Sequence, residues 1–367
     1  MRIAIDARPL AAPLTGIGQY TRSLVQRLAA VLGNNHDWFL YSDRPLTTSL
    51  PAADNVTVRT GDAVGGSPGS LRWAQWDYVR WAKQDRIDTF WSPRHHLPLL
   101  LPKETRTVVT IHDLVWKRYP ETMQRKNYWL ERMLMGPSIR KADHIIAVSG
   151  FTAGEITHFY PGASSRTSVI HEAAEAPLEN PAMPAGIPNN YILFVGTLEP
   201  RKNLDLLLQA YAATGESSPA LVIAGGTGWG EVSADKIVRG LGLEKRIAIL
   251  GYVSDQELHG LYRHATALVM PSHYEGFGLP VVEAMRHSVP CIVSRDTALE
   301  EICGDAGILV DPRSREDISS AITRISDPQI RDVLATRARE RAENFSWDSA
   351  AARTLEILTG QNLNASH

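Results

Sequence analysis

The sequence has few of the residues that build disulfide frameworks or metal sites. Only two cysteines, Cys291 and Cys303, occur among 367 residues, and both stand in apolar, strand-like surroundings. We therefore expect two buried free thiols rather than a disulfide, as in proteins of the cytoplasm. Cysteine and histidine do not recur at the spacing of a zinc site, and we expect no metal.

Long apolar runs and an excess of basic charge are also missing. No stretch approaches the about 20 apolar residues that span a bilayer, and a strand-like segment at residues 2–6 stands where a signal peptide would. The formal net charge of −2 gives no indication of nucleic-acid binding. An apolar content of 44% with 21% charged residues is typical of a soluble globular protein.

Short apolar strands alternate with helical segments, which predicts an α/β fold with two parallel sheets. Four prolines between residues 172 and 190 predict an extended linker. The predicted domains are residues 1–175, the linker 176–190, a second domain 191–345, and a last helix and tail 346–367. The predicted strands are 3–6, 38–41, 56–59, 89–91, 107–111, 144–148 and 168–170, then 192–195, 220–224, 247–250, 267–270, 291–293 and 307–310.

The most informative motif follows the strand at 267–270. Glu275 and Glu283 stand eight positions apart with a Gly-rich, apolar stretch between them. Glu275 falls at the carboxyl end of a strand, where open α/β sheets bind ligands, and Glu283 falls in the following helix. Carboxylates suit a ligand rich in hydroxyls because each accepts several hydrogen bonds. The alternative is an ordinary helix start with an acidic first turn.

A second motif places two adjacent cations, Arg201 and Lys202, before a helix predicted to begin at Leu204. The amino end of a helix is already partly positive, so two cations there make sense when an anion completes the site. Together with the helix amides they predict a clamp for a pyrophosphate. A solvated basic turn is the alternative.

Taken in order, these and other motifs resemble the family-4 glycosyltransferases of the retaining type, over nearly the whole chain. This resemblance implies the GT-B fold: two Rossmann-like domains that face each other across a cleft, with the C-terminal helix returning to the first domain. The further motifs that carry it are Asp6-Ala7-Arg8, Thr15-Gly16-Ile17-Gly18-Gln19-Tyr20, Ile111-His112-Asp113, Val148-Ser149-Gly150-Phe151-Thr152, Ala224-Gly225-Gly226 and Leu250-Gly251-Tyr252-Val253.

The resemblance also implies roles for individual residues. Glu275 would hold hydroxyls of the transferred sugar, Glu283 the ribose, and Val253 the edge of the nucleobase. A loop containing Gly16 and Gly18 would lie near the donor phosphate, although a merely structural turn is the alternative. The predicted donor-binding residues are Gly16, Gly18, Arg201, Lys202, Gly225, Val253, Phe277, Gly278, Leu279 and Glu283.

Histidines after two strands are candidates for catalysis and for acceptor binding. His112 ends the strand 107–111, where it can donate to a sugar hydroxyl or to developing negative charge, and Asp113 could fix its orientation. The alternative is a packed histidine bonded to the backbone. On the acceptor side we place His95, His96 and Ser149, although loop histidines are often just solvated and Ser149 is also a natural N-cap.

The implied reaction is transfer of a hexose from a nucleotide diphosphate sugar to a hydroxyl of a glycan or lipid-linked acceptor, with retention of configuration and without metal or cofactor. A mannose or rhamnose type of sugar on GDP, in bacterial O-antigen or polysaccharide synthesis, is favoured, and UDP-linked glucosyl donors are the alternative. A non-catalytic sugar-nucleotide-binding protein also stays open. A nicotinamide oxidoreductase is disfavoured, because its third fingerprint glycine would fall at Thr21.

The stretch from Trp116 to His144 combines many basic residues with apolar ones. Such a pattern could rest on an anionic lipid surface, and Trp73, Trp76 and Trp81 share one broad face of a neighbouring predicted helix. The alternative is an ordinary packed helix with a solvated basic side. We therefore expect a cytoplasmic protein with a possible peripheral contact to the membrane.

Overall fold

The structure is a computed structural model that describes residues 1–12, 16–29, 35–48, 50, 53–61, 68–228 and 234–360, the side chains of 68–73 excepted. The described residues form thirteen strands and thirteen α-helices. The strands are β1 (Arg2–Asp6), β2 (Asp37–Ser42), β3 (Val56–Thr60), β4 (Thr89–Ser92), β5 (Arg106–Ile111), β6 (His144–Ala147), β7 (Thr167–Val169), β8 (Tyr191–Val195), β9 (Ala220–Ala224), β10 (Ile247–Gly251), β11 (Ala267–Met270), β12 (Cys291–Ser294) and β13 (Gly307–Val310).

The helices alternate with these strands, as an α/β fold requires. They are α1 (Gly16–Arg27), α2 (Pro68–Gln84), α3 (Val115–Arg118), α4 (Arg125–Lys141), α5 (Gly150–Phe159), α6 (Leu204–Ala212), α7 (Ala234–Gly240), α8 (Asp255–His264), α9 (Leu279–Arg286), α10 (Ala298–Cys303), α11 (Arg315–Ile325), α12 (Pro328–Ala342) and α13 (Trp347–Thr359).

The chain divides into two compact units. Unit 1 comprises Met1–Trp116, Arg125–Glu172 and the chain from Ser346 onward, and unit 2 comprises Lys117–Gln124 and Ala173–Phe345. Unit 1 contains a seven-stranded sheet in the order β3-β2-β1-β4-β5-β6-β7, and unit 2 a six-stranded sheet in the order β10-β9-β8-β11-β12-β13. Every strand pair is parallel.

The central strands are buried along their whole length. All four residues of β4 and all five of β8 are buried, because helices cover both faces of a parallel sheet. In unit 2, Ile192 and Phe194 of β8 and Leu221 and Ile223 of β9 belong to the same core as helix α6. The α/β fold with two parallel sheets is therefore confirmed.

The last helix, α13, belongs to unit 1. The ring of Trp347 lies edge-on to Tyr20 with centroids 6.0 Å apart, and Arg27 forms an ion pair of 2.8 Å with Asp348. Near the other end of α13, the hydroxyl of Thr89 donates to the carbonyl oxygen of Leu358 over 2.9 Å. The prediction that the C-terminal helix returns to the first part of the chain is confirmed.

Two local features differ from the expectations. Gly16 and Gly18 do not lie in a loop but in the first turn of α1, while Thr15 falls outside the described residues. Glycine is tolerated there because the first turn lacks intrahelical partners for its amides in any case. The segment 117–124, placed by the predicted bounds in the N-terminal domain, groups with unit 2.

The two cysteines agree with the expectation from the sequence. Cys291 and Cys303 are buried free thiols, as predicted. Among the helices of the described ranges, none is both long enough and apolar enough to cross a bilayer.

Candidate functional site

Each sheet has one point where the strand order changes direction. In unit 2 it lies between β8 and β11, and in unit 1 between β1 and β4. Open α/β sheets bind ligands outside the carboxyl ends of the strands at such a switch point. The segments that leave these ends are 196–203 and 271–278 in unit 2, and 7–12 and 93–98 in unit 1.

At the switch point of unit 2 the predicted cations and the predicted carboxylate meet. Lys202 Nζ donates to Glu275 Oε1 over 2.6 Å, and Arg201 Nη1 donates to Glu275 Oε2 over 2.7 Å. Arg201 also forms an ion pair with Glu199. We call Glu199, Arg201, Lys202 and Glu275 the unit 2 cluster. Its two positive and two negative charges balance.

Glu199, Lys202 and Glu275 are buried and Arg201 is half-buried, and this burial shapes the electrostatics of the cluster. Burial raises the pKa of Glu275, but the charges of Arg201 and Lys202 outweigh this and hold that pKa at about 2. Burial also raises the pKa of Glu199, and there the two cations only partly offset it. Glu275 is therefore a carboxylate at neutral pH. Lys202 has three N–H donors, and its described partner takes one of them.

Backbone contacts fasten the two loops of the unit 2 cluster together. The amide of His273 donates to the carbonyl oxygen of Arg201 over 2.9 Å, and Arg201 Nη1 donates to the carbonyl oxygen of Tyr274 over 2.7 Å. Asn203, in the left-handed region at φ 60°, donates to the carbonyl oxygen of Pro271 over 2.9 Å. These contacts fix the position of Glu275 relative to the cations.

The glycine after Phe277 is favoured by its backbone conformation. Gly278 has φ 107° and precedes α9, and a Cβ there would come within 2.4 Å of Leu299. Phe277 itself is buried edge-on against Phe345, and Leu279 begins the helix. Glu283, on the second turn of α9, accepts a hydrogen bond of 2.7 Å from the hydroxyl of Tyr262, and burial raises the pKa of Glu283.

Two other predicted donor-binding positions lie at the ends of β9 and β10. A Cβ on Gly225 would lie 2.0 Å from the carbonyl oxygen of Gly196, so the backbone of this chain already accounts for that glycine. Val253 is half-buried and follows Tyr252, which is 83% exposed. Contact of either position with a donor stays a prediction.

In unit 1, Glu172 and not Asp113 orients His112. Nδ1 of His112 lies 2.8 Å from Glu172 Oε1, and Nε2 lies 2.9 Å from the carbonyl oxygen of Pro93. Asp113 instead accepts from the amide of Val115 over 3.2 Å. Because both nitrogens of His112 have partners, donation to a sugar requires the contact with Pro93 to open.

Sequence reasoning missed Glu172. The two residues are 60 positions apart, and the only available signal was that Glu172 follows a short strand, β7.

The predicted acceptor-side residues have structural partners. His95 and His96 both contact Glu131 Oε2, at 3.3 and 3.0 Å, and His95 Nε2 accepts from the amide of His112 over 3.2 Å. Burial lowers the pKa of His96; for His95 burial acts the same way, but the charge of Glu131 outweighs it and raises that pKa. Ser149 caps α5 by accepting from the amide of Thr152 over 3.0 Å.

The segment 117–124 contributes an aromatic residue that contacts the loop before Glu275. The ring of Tyr119 stacks on His273 at an angle of 20° with centroids 6.3 Å apart, and lies 5.8 Å from the ring of Tyr274. Sequence reasoning did not single out Tyr119, because nothing in the local pattern connects it with residues 150 positions later.

Two protein-family models match consecutive parts of the chain. Residues 14–175 match the family described as Glycosyltransferase Family 4, and residues 185–345 the family described as Glycosyl transferases group 1. O-antigen chain mannosyltransferase B of Escherichia coli is 30% identical over 97% of this chain and 98% of its own. O-antigen chain mannosyltransferase RfbU of Salmonella typhimurium is 30% identical over 70% of this chain and 69% of its own.

A solved structure supports the fold. Sucrose-phosphate synthase from Thermosynechococcus elongatus superimposes with a TM-score of 0.79 at 18% identity, over 98% of each chain. Two parallel sheets in this order match the GT-B fold. The chain belongs to the family-4 glycosyltransferases.

Proposed function

We propose that this chain is a retaining hexosyltransferase that uses a GDP-linked sugar of the mannose or rhamnose type. The acceptor is a hydroxyl of a glycan or lipid-linked oligosaccharide in bacterial surface polysaccharide synthesis. The unit 2 cluster at the switch point carries the proposal, since two cations lie against Glu275, the carboxylate to which we assign sugar binding. The similarity to the mannosyltransferase of Escherichia coli supports the choice of mannose.

In the proposed reaction, the bond between the sugar C1 and the diphosphate oxygen breaks while a bond from the acceptor oxygen to C1 forms on the same face. The acceptor proton passes to the departing phosphate oxygen. Negative charge grows on the diphosphate as it leaves, and Arg201 and Lys202 offset that charge. Glu275 accepts hydrogen bonds from the sugar hydroxyls through lone pairs beyond those used for the cations.

The donor can be identified by thermal unfolding with GDP-, UDP-, ADP- and dTDP-linked sugars. A ligand at 100 times its dissociation constant adds about 2.7 kcal/mol of stability, so the correct base stands out from the others. We expect a GDP-sugar to give the largest rise in Tm. A rise with UDP-sugars alone would instead favour the glucosyl-type alternative.

Product analysis separates the transferase from its rivals. Incubation with the stabilising donor and a polysaccharide acceptor should release nucleoside diphosphate and extend the acceptor with the α or β configuration of the donor retained. Binding of a nucleotide sugar without turnover, whichever glycan or lipid-linked acceptor is added, would support the non-catalytic alternative. A change in nicotinamide absorbance would support the oxidoreductase.

We propose that no metal ion takes part, because Arg201 and Lys202 can donate to the diphosphate oxygens that a divalent cation would otherwise bind. Transfer should therefore continue in excess chelator. Loss of turnover in chelator, restored by added magnesium, would contradict this part of the proposal.

We further propose that α4 touches an anionic lipid surface from the cytoplasmic side. Trp129 and Met133 are 55% and 67% exposed, and the exposed Arg125, Lys126 and Arg132 lie on the same face of the helix. Exposed aromatic and basic residues on one helix face are typical of interfacial binding. On α2, Trp76 is exposed and Trp81 buried, while the side chain of Trp73 lies outside the described residues.

Liposome co-sedimentation tests this contact. Binding should require anionic lipid, weaken with salt, and fall in a Trp129→Ser, Met133→Ser variant. Val333→Ser is the matched control, since Val333 is an exposed apolar residue on α12. Absence of wild-type binding at low salt would remove the membrane contact from the proposal.

A further inference from the structure

Glu283 has one hydrogen-bond donor among the described residues, and that donor comes from a different helix. Tyr262 on α8 donates from its hydroxyl to Glu283 Oε2 over 2.7 Å. Glu283 is half-buried, and within the described part of the chain its other oxygen, Oε1, accepts from no residue. Because a carboxylate has about four lone-pair sites, most of them are left for a ligand.

The choice of partner sets Tyr262 apart from Tyr191, a second buried tyrosine that bonds to α8. The hydroxyl of Tyr191 donates to the carbonyl oxygen of Leu261 over 2.6 Å. A buried tyrosine hydroxyl needs a partner, and a backbone carbonyl meets that need without an ionisable group. Tyr262 is only 1% exposed, yet its hydroxyl contacts the side chain of Glu283. The contact therefore fixes a carboxylate and not only a tyrosine.

A pair of histidines holds the ring of Tyr262 in place. This ring lies nearly parallel to that of His287, at an angle of 23° with centroids 5.8 Å apart. Nε2 of His287 lies 3.0 Å from Nδ1 of His259. Burial, and then the charges of His259 and Arg263, lower the pKa of His287 to about 4, so this imidazole is neutral at pH 7. These contacts limit rotation of the Tyr262 ring and thereby fix the position of its hydroxyl.

A fixed donor has two effects on a carboxylate that binds a ligand. It restricts the torsions of the glutamate side chain, whose ordering would otherwise cost free energy on binding. It also favours the ionised form, since burial raises the pKa of Glu283 and the hydrogen bond from Tyr262 offsets part of that rise. An ionised carboxylate can accept from both hydroxyls of a cis diol at once, and ribose presents such a diol.

We propose that Tyr262 is a positioning residue, which holds the carboxylate of Glu283 where it accepts from the two ribose hydroxyls of the donor. The assignment of ribose to Glu283 rests on the proposed function, whereas the contact between the two side chains does not. In this role Tyr262 acts through Glu283 and not by touching the nucleotide.

The test compares a nucleoside diphosphate with its 2′,3′-dideoxy analogue by calorimetric titration of the full chain. The base is the one that gives the largest rise in Tm, which is guanine on the proposed function. The wild type should prefer the ribonucleotide by about 100-fold, since the analogue loses two hydrogen bonds to a charged group. Tyr262→Phe should lower this preference to about tenfold, through weaker binding of the ribonucleotide and unchanged binding of the analogue.

Tyr191→Phe is the matched control. It removes a buried hydroxyl that bonds to α8 but does not contact Glu283, so it should keep the preference of the wild type. His287→Ala provides a second variant, and it decides the question if Tyr262→Phe does not fold. It leaves the hydroxyl of Tyr262 in place but removes the ring that stacks on it, and should lower the preference by about threefold.

A double-mutant cycle separates positioning from a purely structural role. In Glu283→Ala the carboxylate is gone, so adding Tyr262→Phe should change the preference no further. A tyrosine that only joined α8 to α9 would, when removed, weaken both nucleotides alike in either background. Such equal weakening would overturn the proposal, as would a wild-type preference in Tyr262→Phe or, where His287→Ala decides, in that variant.

The result for Tyr262 can be distinguished from the result for the transferase. Calorimetry requires neither turnover nor an acceptor, so an inactive protein can still be tested. If the wild type binds no nucleoside diphosphate with any of the four bases, the proposed function fails and the role of Tyr262 fails with it. If the wild type binds one but does not distinguish ribose from dideoxyribose, donor binding stands and only the roles of Glu283 and Tyr262 are overturned.

Discussion

The two units place charged residues at the same point of the same kind of sheet, but they pair them differently. In unit 2 both cations have carboxylate partners, and Glu275 bridges Arg201 and Lys202. In unit 1 the carboxylate of Asp6 forms an ion pair with one cation among the described residues, Arg8. The strand order therefore fixes where charges gather, but not how they are balanced.

The largest effect is expected from removing the carboxylate that pairs with both cations in unit 2. Glu275→Ala leaves two largely buried cations with one carboxylate fewer, which should lower the free energy of unfolding by about 3–5 kcal/mol and abolish transfer. Denaturant unfolding and product formation measure the two effects. Glu316→Ala is the control, because this glutamate of α11 forms an exposed pair with Arg315, and it should stay active and stable. An active Glu275→Ala enzyme would contradict the role of Glu275.

Acid should weaken the ion pairs of Glu275 without a mutation, because it protonates the carboxylate. The pKa of Glu275 falls from its ordinary 4.5 to about 2, so this carboxylate stabilises the fold at pH above about 4.5 and loses its contribution as the pH falls toward 2. The contribution amounts to roughly 3 kcal/mol. Free energies of unfolding between pH 6 and pH 3 should therefore decline less steeply in Glu275→Gln than in the wild type. Parallel curves for the two proteins would show that Glu275 does not titrate this way.

Removing one cation should have a smaller effect. Lys202→Ala loses a charge-assisted hydrogen bond to the diphosphate, which predicts donor binding weakened by about 10- to 100-fold. Glu275 keeps Arg201 as a partner in this variant, so the fold should persist. Calorimetric titration with the stabilising nucleotide sugar measures the change, and Lys202→Arg is the charge-preserving control. Unchanged donor affinity in Lys202→Ala would remove this lysine from the proposed diphosphate site.

The smallest effect is expected in unit 1, where Glu172 positions His112. Glu172→Gln keeps the size of the side chain but weakens the contact with Nδ1, and should lower kcat by about tenfold with little change in donor KM. Asp113→Asn should have almost no effect on kcat, because Asp113 contacts the amide of Val115 instead. A reversed ranking of the two variants would restore Asp113 as the orienting residue.

Much of the fold could be predicted because strand and helix patterns are local. The buried run of β8, for example, is apolar along its length and bounded by loops. The start of α1 was missed, since Gly16 and Gly18 favour a loop by propensity and tertiary packing overrides it. The placement of Lys117–Gln124 in unit 2 depends on contacts of Tyr119 with distant residues, which no local pattern encodes.

For the site, the sequence predicts which residues lie there but not how they contact one another. Arg201, Lys202 and Glu275 each follow a strand, which places them at one edge of a parallel sheet, but their ion pairs depend on how two loops approach. The close packing of Gly225 on Gly196 and the contact of His112 with Glu172 arise in the same way.

The path of the chain limits how this enzyme can be dissected. It passes from one unit to the other after Trp116, Gln124, Glu172 and Phe345. A gene split at codon 173 therefore encodes two incomplete pieces. The first piece lacks α13, and the second lacks the segment Lys117–Gln124. Separate study of either half requires a graft that restores the missing piece, and a simple truncation would expose apolar surface that the intact polypeptide covers.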